Sequence, residues 1–349
     1  MAEELDLKLE LELKLSPEAC HGPLVERAAR ILGFDAEAYF PEWQSAVRRT
    51  FKQHLGGMPA RGELRVRGFV ERRTELAREI GFVFTAEAGA DIPATLMIPL
   101  KGAGPFAAVI CMPGHNGSMQ LTLGRAGTPR ERETPSRGHD FAVQAVRRGY
   151  AALAFDPRAF GGRAARGRPG AEPSCHHAAM TALLLGRTLA GERVFDLSRA
   201  VDVLETFAEI DPKRIFCMGH SGGGTACYYS AAFDPRIAAV LCSACICSYR
   251  KSIAAIEHCA DNYLPGILHY LELADIAGLI APRGLAIVAG AADDIFPLAG
   301  VEECVGEIGR IYAAQGAKKK LAVEIVPGGH EFFAEAAWGA LERCVAGEG

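Results

Sequence analysis

No apolar run in this sequence approaches the roughly 20 residues that a membrane-spanning helix needs. The first ten residues, MAEELDLKLE, are acidic and carry no apolar core of a secretion signal. Neither sign of charge dominates. Lys and Arg number 38 against 42 Asp and Glu, a net of -4, which gives no reason to expect nucleic acid or an anionic membrane as a partner. Internal repeats and low-complexity linkers are absent. A zinc-type spacing is also missing. Cys242-Ser-Ala-Cys245 has CxxC form but no second ligand pair at a suitable distance, and Cys175-His176-His177 offers only two adjacent histidines on one loop. No metal and no cofactor are expected. The 11 cysteines then read as thiols in a reducing, cytoplasmic compartment, serving as small core residues, as Cys111, Cys217 and Cys242 do in apolar runs. Arg163, Arg166, Arg168 and the run Lys318-Lys319-Lys320 read as solvated faces.

What is present is an ordinary globular composition, 49% hydrophobic and 23% charged over 349 residues. Residues 5 to 15 alternate strictly between Leu and a charge. A two-residue period predicts a strand with one apolar face, peripheral or facing a second copy in a homodimer. Residues 17 to 55 carry helical spacing around Leu24, Ala28, Ile31 and Leu32, then Trp43, Val47 and Phe51. Residues 1–62 thus read as an N-terminal strand and helical extension. In 63–349, short β-like runs appear first. ELAREIGFVFTAE and DIPATLMIPL, joined at Ala88-Gly89-Ala90-Asp91, form a predicted hairpin. Afterwards apolar strands alternate with helical patterns, which predicts an α/β fold with a mostly parallel sheet covered on both faces. Residues 248–273 interrupt the alternation and read as a lid-like insertion.

The stretch IFCMGHSGGGTA, residues 215 to 226, places Ser221 between glycines where a buried strand meets a helix. A serine on so sharp a turn needs small neighbours, and Gly219, Gly222 and Gly223 supply them. Downstream, Asp293-Asp294 follows the strand ending in Gly290, and His330 follows Gly328-Gly329 after the last strand. Ser, then acid, then His, each after a strand, is the order in which a nucleophile, orienter and base converge at one sheet edge. Asp293 is favoured over Asp294 because it lies nearer the strand end. The developing oxyanion needs two N–H donors. Gly222, just after the nucleophile, is one. The loop Pro113-Gly114-His115-Asn116-Gly117 supplies the other, from His115 with Asn116 second. Asn116 and His220 are also candidate substrate contacts.

Together these residues resemble the α/β-hydrolase superfamily over roughly residues 75 to 345, most closely its acetyl xylan esterase-like and dienelactone hydrolase-like members. In acetyl xylan esterases a His-Gly-Tyr-Asn-Gly stretch gives an oxyanion donor from its middle residue; here Pro113 and His115 replace the first His and the Tyr. DPRAFGGR, residues 156–163, resembles a turn whose Asp and Arg brace the site, a role the resemblance implies for Asp156 and Arg158. It also implies pocket-lining positions at His176, His177, His258 and Tyr263. The activity implied is a serine carboxylesterase acting on small or short-acyl esters, with acetyl esters of carbohydrates as one class. A prolyl oligopeptidase-like peptidase shares the residue order but carries a large propeller gate. A non-catalytic binding protein of this fold would lack one of the three residues.

Overall fold

A computed structural model describes residues 15–115, 117–126, 138–165 and 174–346. The alternating stretch 5–15 (Leu15 apart), Asn116, Arg166 and Arg168 lie outside the described residues.

Among the described residues, nine strands form one sheet. They are β1 (Val66–Arg73), β2 (Ala77–Glu87), β3 (Ala90–Pro99), β4 (Phe106–Met112), β5 (Ala151–Phe155), β6 (Ile210–His220), β7 (Ile237–Ser243), β8 (Gly284–Gly290) and β9 (Leu321–Val326). Their order is β1-β2-β3-β5-β4-β6-β7-β8-β9. The first three strands pair antiparallel, and β3 meets β5 antiparallel. From β5 to β9 every pairing is parallel. The predicted hairpin is β2 and β3, turning through Gly89 at φ 81°. Strands β5 and β8 are buried at every position, as a sheet covered on both faces requires.

The helices are α1 (Pro17–Glu26), α2 (Phe40–His54), α3 (Phe141–Arg147), α4 (Cys175–Leu184), α5 (Leu189–Leu204), α6 (Gly222–Phe233), α7 (Leu298–Ala314) and α8 (Ala334–Ala346), besides short helical turns. On one face of the sheet Ile110, Leu153 and Ile287 pack with Phe51 of α2, Val201 of α5, Tyr228 of α6 and Ile308 of α7. On the other, Val109, Met218 and Val288 pack with Phe141 of α3 and Trp338 and Leu341 of α8. All eleven cysteines are free, and nine of them are buried as small core groups. No helix among the described residues is long and apolar enough to cross a membrane.

Two expectations change. The helical run over 17–55 divides into α1 and α2, and Leu24 and Ile31 are 55% and 66% exposed. Arg30 is the reason. It sits at φ 45°, outside helical backbone, and its guanidinium forms ion pairs with Asp275 at 2.8 Å and with Glu307. Arg163 is the second change. It is not a solvated charge: its Nη1 donates to Asp196 Oδ2 at 2.8 Å and to the Asp156 carbonyl at 3.0 Å. The fully buried Asp196 carboxylate needs such partners.

Helix α2 keeps the pattern read from sequence. Trp43, Val47 and Phe51, spaced four apart, all point into the core. Phe51 is 0% exposed and meets the Tyr229 ring edge-on. Phe51→Ala is expected to cost about 3–5 kcal/mol, read from urea unfolding; a loss under about 1 kcal/mol would detach this helix from the core.

Candidate active site

Strand β6 ends at His220 and α6 starts at Gly222, so Ser221 alone makes the turn. Its backbone sits at φ 53°, ψ -127°, a conformation strained for any residue with a Cβ. Surrounding bonds hold it there. Its N–H donates to the Ser243 carbonyl on β7 at 2.8 Å, and its carbonyl accepts from Thr225 N–H at 2.9 Å. The neighbouring glycines are sterically required. A Cβ on Gly219 would lie 2.4 Å from the Gly223 backbone, and one on Gly223 would lie 2.3 Å from the Pro113 carbonyl oxygen.

Asp293 and His330 reach Ser221 because the loops after β8 and β9 are joined. Ala291 N–H donates to the Val326 carbonyl and Ala292 N–H to the Gly328 carbonyl, both at 2.8 Å. The fit is tight enough that a Cβ on Gly290 would lie 2.1 Å from the Gly329 oxygen. His330 Nε2 lies 3.0 Å from Ser221 Oγ, and its Nδ1 lies 2.8 Å from Asp293 Oδ2. The other carboxylate oxygen, Oδ1, accepts from the N–H groups of Ile295 at 2.9 Å and Phe296 at 3.0 Å. Burial raises the Asp293 pKa, but the His330 and Phe296 hydrogen bonds outweigh it and leave the carboxyl below its usual range. The Asp293 carboxylate accepts a hydrogen bond from His330 Nδ1–H, which leaves the Nε2 lone pair facing the hydroxyl. The Phe296 ring stacks on His330 at 5.7 Å and fixes its plane. Asp294 is exposed.

Gly222 begins the 12-residue helix α6, so its N–H has no acceptor within the helix. The Pro113–Gly117 loop crosses the same corner: a Cβ on Gly114 would lie 3.6 Å from Ser221 Cβ. The His115 ring covers Gly222, where an added Cβ would meet its Cε1 at 2.4 Å. Its Nε2 donates to Asp261 Oδ2 at 2.9 Å. Burial lowers the His115 pKa, but the Asp261 carboxylate overrides this and raises it to about 9.

The remaining candidates are spread more widely. His220 is 5% exposed, its ring 5.0 Å from His330 and 5.2 Å from His139, with Nδ1 3.3 Å from Ser243 Oγ. His258 Nδ1 accepts from Cys259 N–H and Asn262 Nδ2, and its ring meets Phe296 at 5.3 Å. Tyr263 lines an apolar cavity of about 400 Å³ with Leu24, Ile253 and Leu264; that lining does not include Ser221. His176 and His177 point outward from α4. Asp156 accepts from Met119 N–H at 2.5 Å and Gly162 N–H at 2.8 Å, while Arg158 pairs with Asp196, Glu87 and Glu192. Asp156 thus ties Met119 to the 156–163 turn, and Arg158 ties that turn to α5 and β2. Sequence reasoning passed over Arg193 and Asp261, a buried ion pair reaching His115. An acid isolated in the segment HCADN was the available signal.

His220 carries a pH prediction. Burial, then the fields of His330, His139 and His115, push its pKa well below 6.5. The unfolded chain therefore binds a proton near pH 6.5 that the folded chain refuses, and stability falls as pH drops below that point. The slope from this group is at most about 1.4 kcal/mol per pH unit. His220→Asn is expected to flatten the decline between pH 7.5 and 5.5 in urea unfolding. Parallel curves for the two proteins would contradict the assignment.

A sequence profile of the acetyl xylan esterase (AXE1) family matches residues 68–277, more than half of the chain. The chain belongs to this family. The matched part of this acetyl xylan esterase family member includes Ser221 and His115 and ends before Asp293 and His330, which the fold brings to them. The Bacillus subtilis (strain 168) protein named "Putative hydrolase YtaP" is 28% identical over 295 residues, 81% of this chain and 92% of that one. A crystal structure of a "putative acetyl xylan esterase" from Bacteroides fragilis NCTC 9343 aligns with TM-score 0.74 at 18% identity, covering 90% of this chain and 83% of the other. A glucuronoyl esterase from Solibacter usitatus aligns with TM-score 0.67 at 15% identity, covering 92% and 98%. The α/β-hydrolase fold and the hydrolysis of ester bonds, both implied by the resemblance, hold for this family member.

Proposed function

We propose that this family member is a serine esterase that removes short acyl groups, acetyl groups on carbohydrates foremost, through an acyl-enzyme. The observation that carries the reading is the continuous chain from Ser221 Oγ through His330 to Asp293, at 3.0 and 2.8 Å. Ser221 attacks the ester carbonyl while His330 Nε2 takes its proton. Asp293 keeps the proton on Nδ1 and stabilises the imidazolium that forms. The backbone N–H groups of Gly222 and His115 receive the oxyanion, at about 3–4 kcal/mol each. His330 returns its proton to the leaving alcohol, then activates water for the second half-reaction. Residues 248–273 form a roof over this edge, contributing His258 beside Phe296 and Asp261 beside His115. The free thiols support a reducing, cytoplasmic compartment.

The test is acetate release from acetylated xylo-oligosaccharides, together with a fluorophosphonate probe read by peptide mass spectrometry. Release of acetate and a label on Ser221 are expected. An unlabelled Ser221 with no acetate released would remove the proposal.

A further inference from the structure

Beside the Ser221 site lies a second cluster that the ester chemistry leaves unused. The ligand-capable atoms of His115, Cys175, Cys259 and Asp261 all lie within 4.8 Å of one another. They come from three separate segments: the loop after β4, the first residue of α4, and the 248–273 roof. Cys175 and Asp261 are 6% and 3% exposed, and His115 and Cys259 are half-buried.

We propose that these four side chains form a structural site for one zinc-like divalent cation. Two thiolates, one imidazole and one carboxylate are a donor set that selects zinc over calcium or magnesium, which take oxygen. Bonds of about 2.0–2.3 Å put tetrahedral donors roughly 3.3–3.8 Å apart, so the cluster closes on the ion with side-chain movements of about 1 Å. Four protein ligands fill the coordination sphere, which is the mark of a structural site and not a Lewis-acid site.

The surroundings are built in the same way. Arg193 donates to Asp261 and, through Nη2, to Cys175 Sγ at 3.3 Å. Arg193 is itself held by the Arg158 carbonyl at 3.0 and 2.8 Å and lies over the Phe160 ring at 4.3 Å. Asn262 Nδ2 lies 3.3 Å from Asp261 Oδ1. Such outer partners orient the donors. Charge also balances. The cation and Arg193 bring three positive charges; Asp261 and two thiolates bring three negative ones. On binding, the protons still held by the ligating thiols and imidazole nitrogen pass to solvent. The site does not rest on the proposed esterase mechanism, although it would tie the His115 loop to the roof.

The test uses the full chain, reduced and stripped with a chelator, then titrated with zinc against a chromophoric competitor. One equivalent is expected to bind, tighter than about 10⁻⁸ M. Cobalt in place of zinc is expected to give thiolate-to-metal charge-transfer absorption, a readout on the unaltered chain. Cys175→Ser and Cys259→Ser are expected to abolish stoichiometric uptake and the rise of Tm with zinc, whereas Ser221→Ala is expected to bind as the parent does. Uptake unchanged in both cysteine variants would overturn the proposal. So would no stoichiometric uptake, or a Cys175–Cys259 disulfide in the protein as isolated, two hydrogens lighter by intact mass.

Discussion

Ser221→Ala is expected to lower kcat/KM on p-nitrophenyl acetate by about 10⁶-fold. The substitution removes only Oγ, the atom 3.0 Å from His330 Nε2. Alanine keeps the Cβ, so the strained backbone at φ 53° and the bonds to Ser243 and Thr225 stay as they are. Stability is therefore expected to change by under about 1 kcal/mol, and the loss is chemical. What remains, on the order of 10³–10⁴ above water, comes from the oxyanion donors and binding alone. Steady-state turnover measured beside the unfolding curve of the same preparation separates the two effects. A loss under tenfold in a folded variant would place the nucleophile elsewhere.

Asp293→Asn is expected to lower kcat by about 10⁴-fold with little change in KM. The reason lies in the two backbone donors on Oδ1. The N–H groups of Ile295 and Phe296 hold an oxygen at that position. An asparagine there keeps its oxygen on those donors and turns its NH₂ towards His330 Nδ1. Nδ1 must then accept, and the imidazole proton moves to Nε2, facing the hydroxyl it should deprotonate. The shape of the site survives while its tautomer is wrong. Separate kcat and KM values on the same ester check this; a kcat within tenfold of the parent would show that Asp293 does not set the tautomer.

The strand and helix alternation was legible because buried parallel strands are continuously apolar, as β4, β5, β7 and β8 are. Ser221, Asp293 and His330 were legible because each follows the end of a strand and stands beside glycine or a turn. Other parts were hidden for physical reasons. Strand β1, Val66–Arg73, is exposed along nearly its whole length and carries four charges, so no apolar face marked it. The break at Arg30 is set by Asp275 and Glu307, some 250 positions away, and no local pattern encodes such a pairing. Arg163 looked solvated because its partner Asp196 lies inside a helix that reads as ordinary. The cluster around Asp261 joins residues from distant segments whose spacing carries no period.

The contact of Gly290 with the Gly329 oxygen makes the acid-bearing and base-bearing loops one mechanical piece. Displacement of either carries the other along, so the length of the proton path is insulated from changes at the pocket rim. A change at the rim therefore reaches the two loops only as a unit, and the 2.8 Å between Asp293 and His330 is kept. A side chain at position 290 would force the two loops apart.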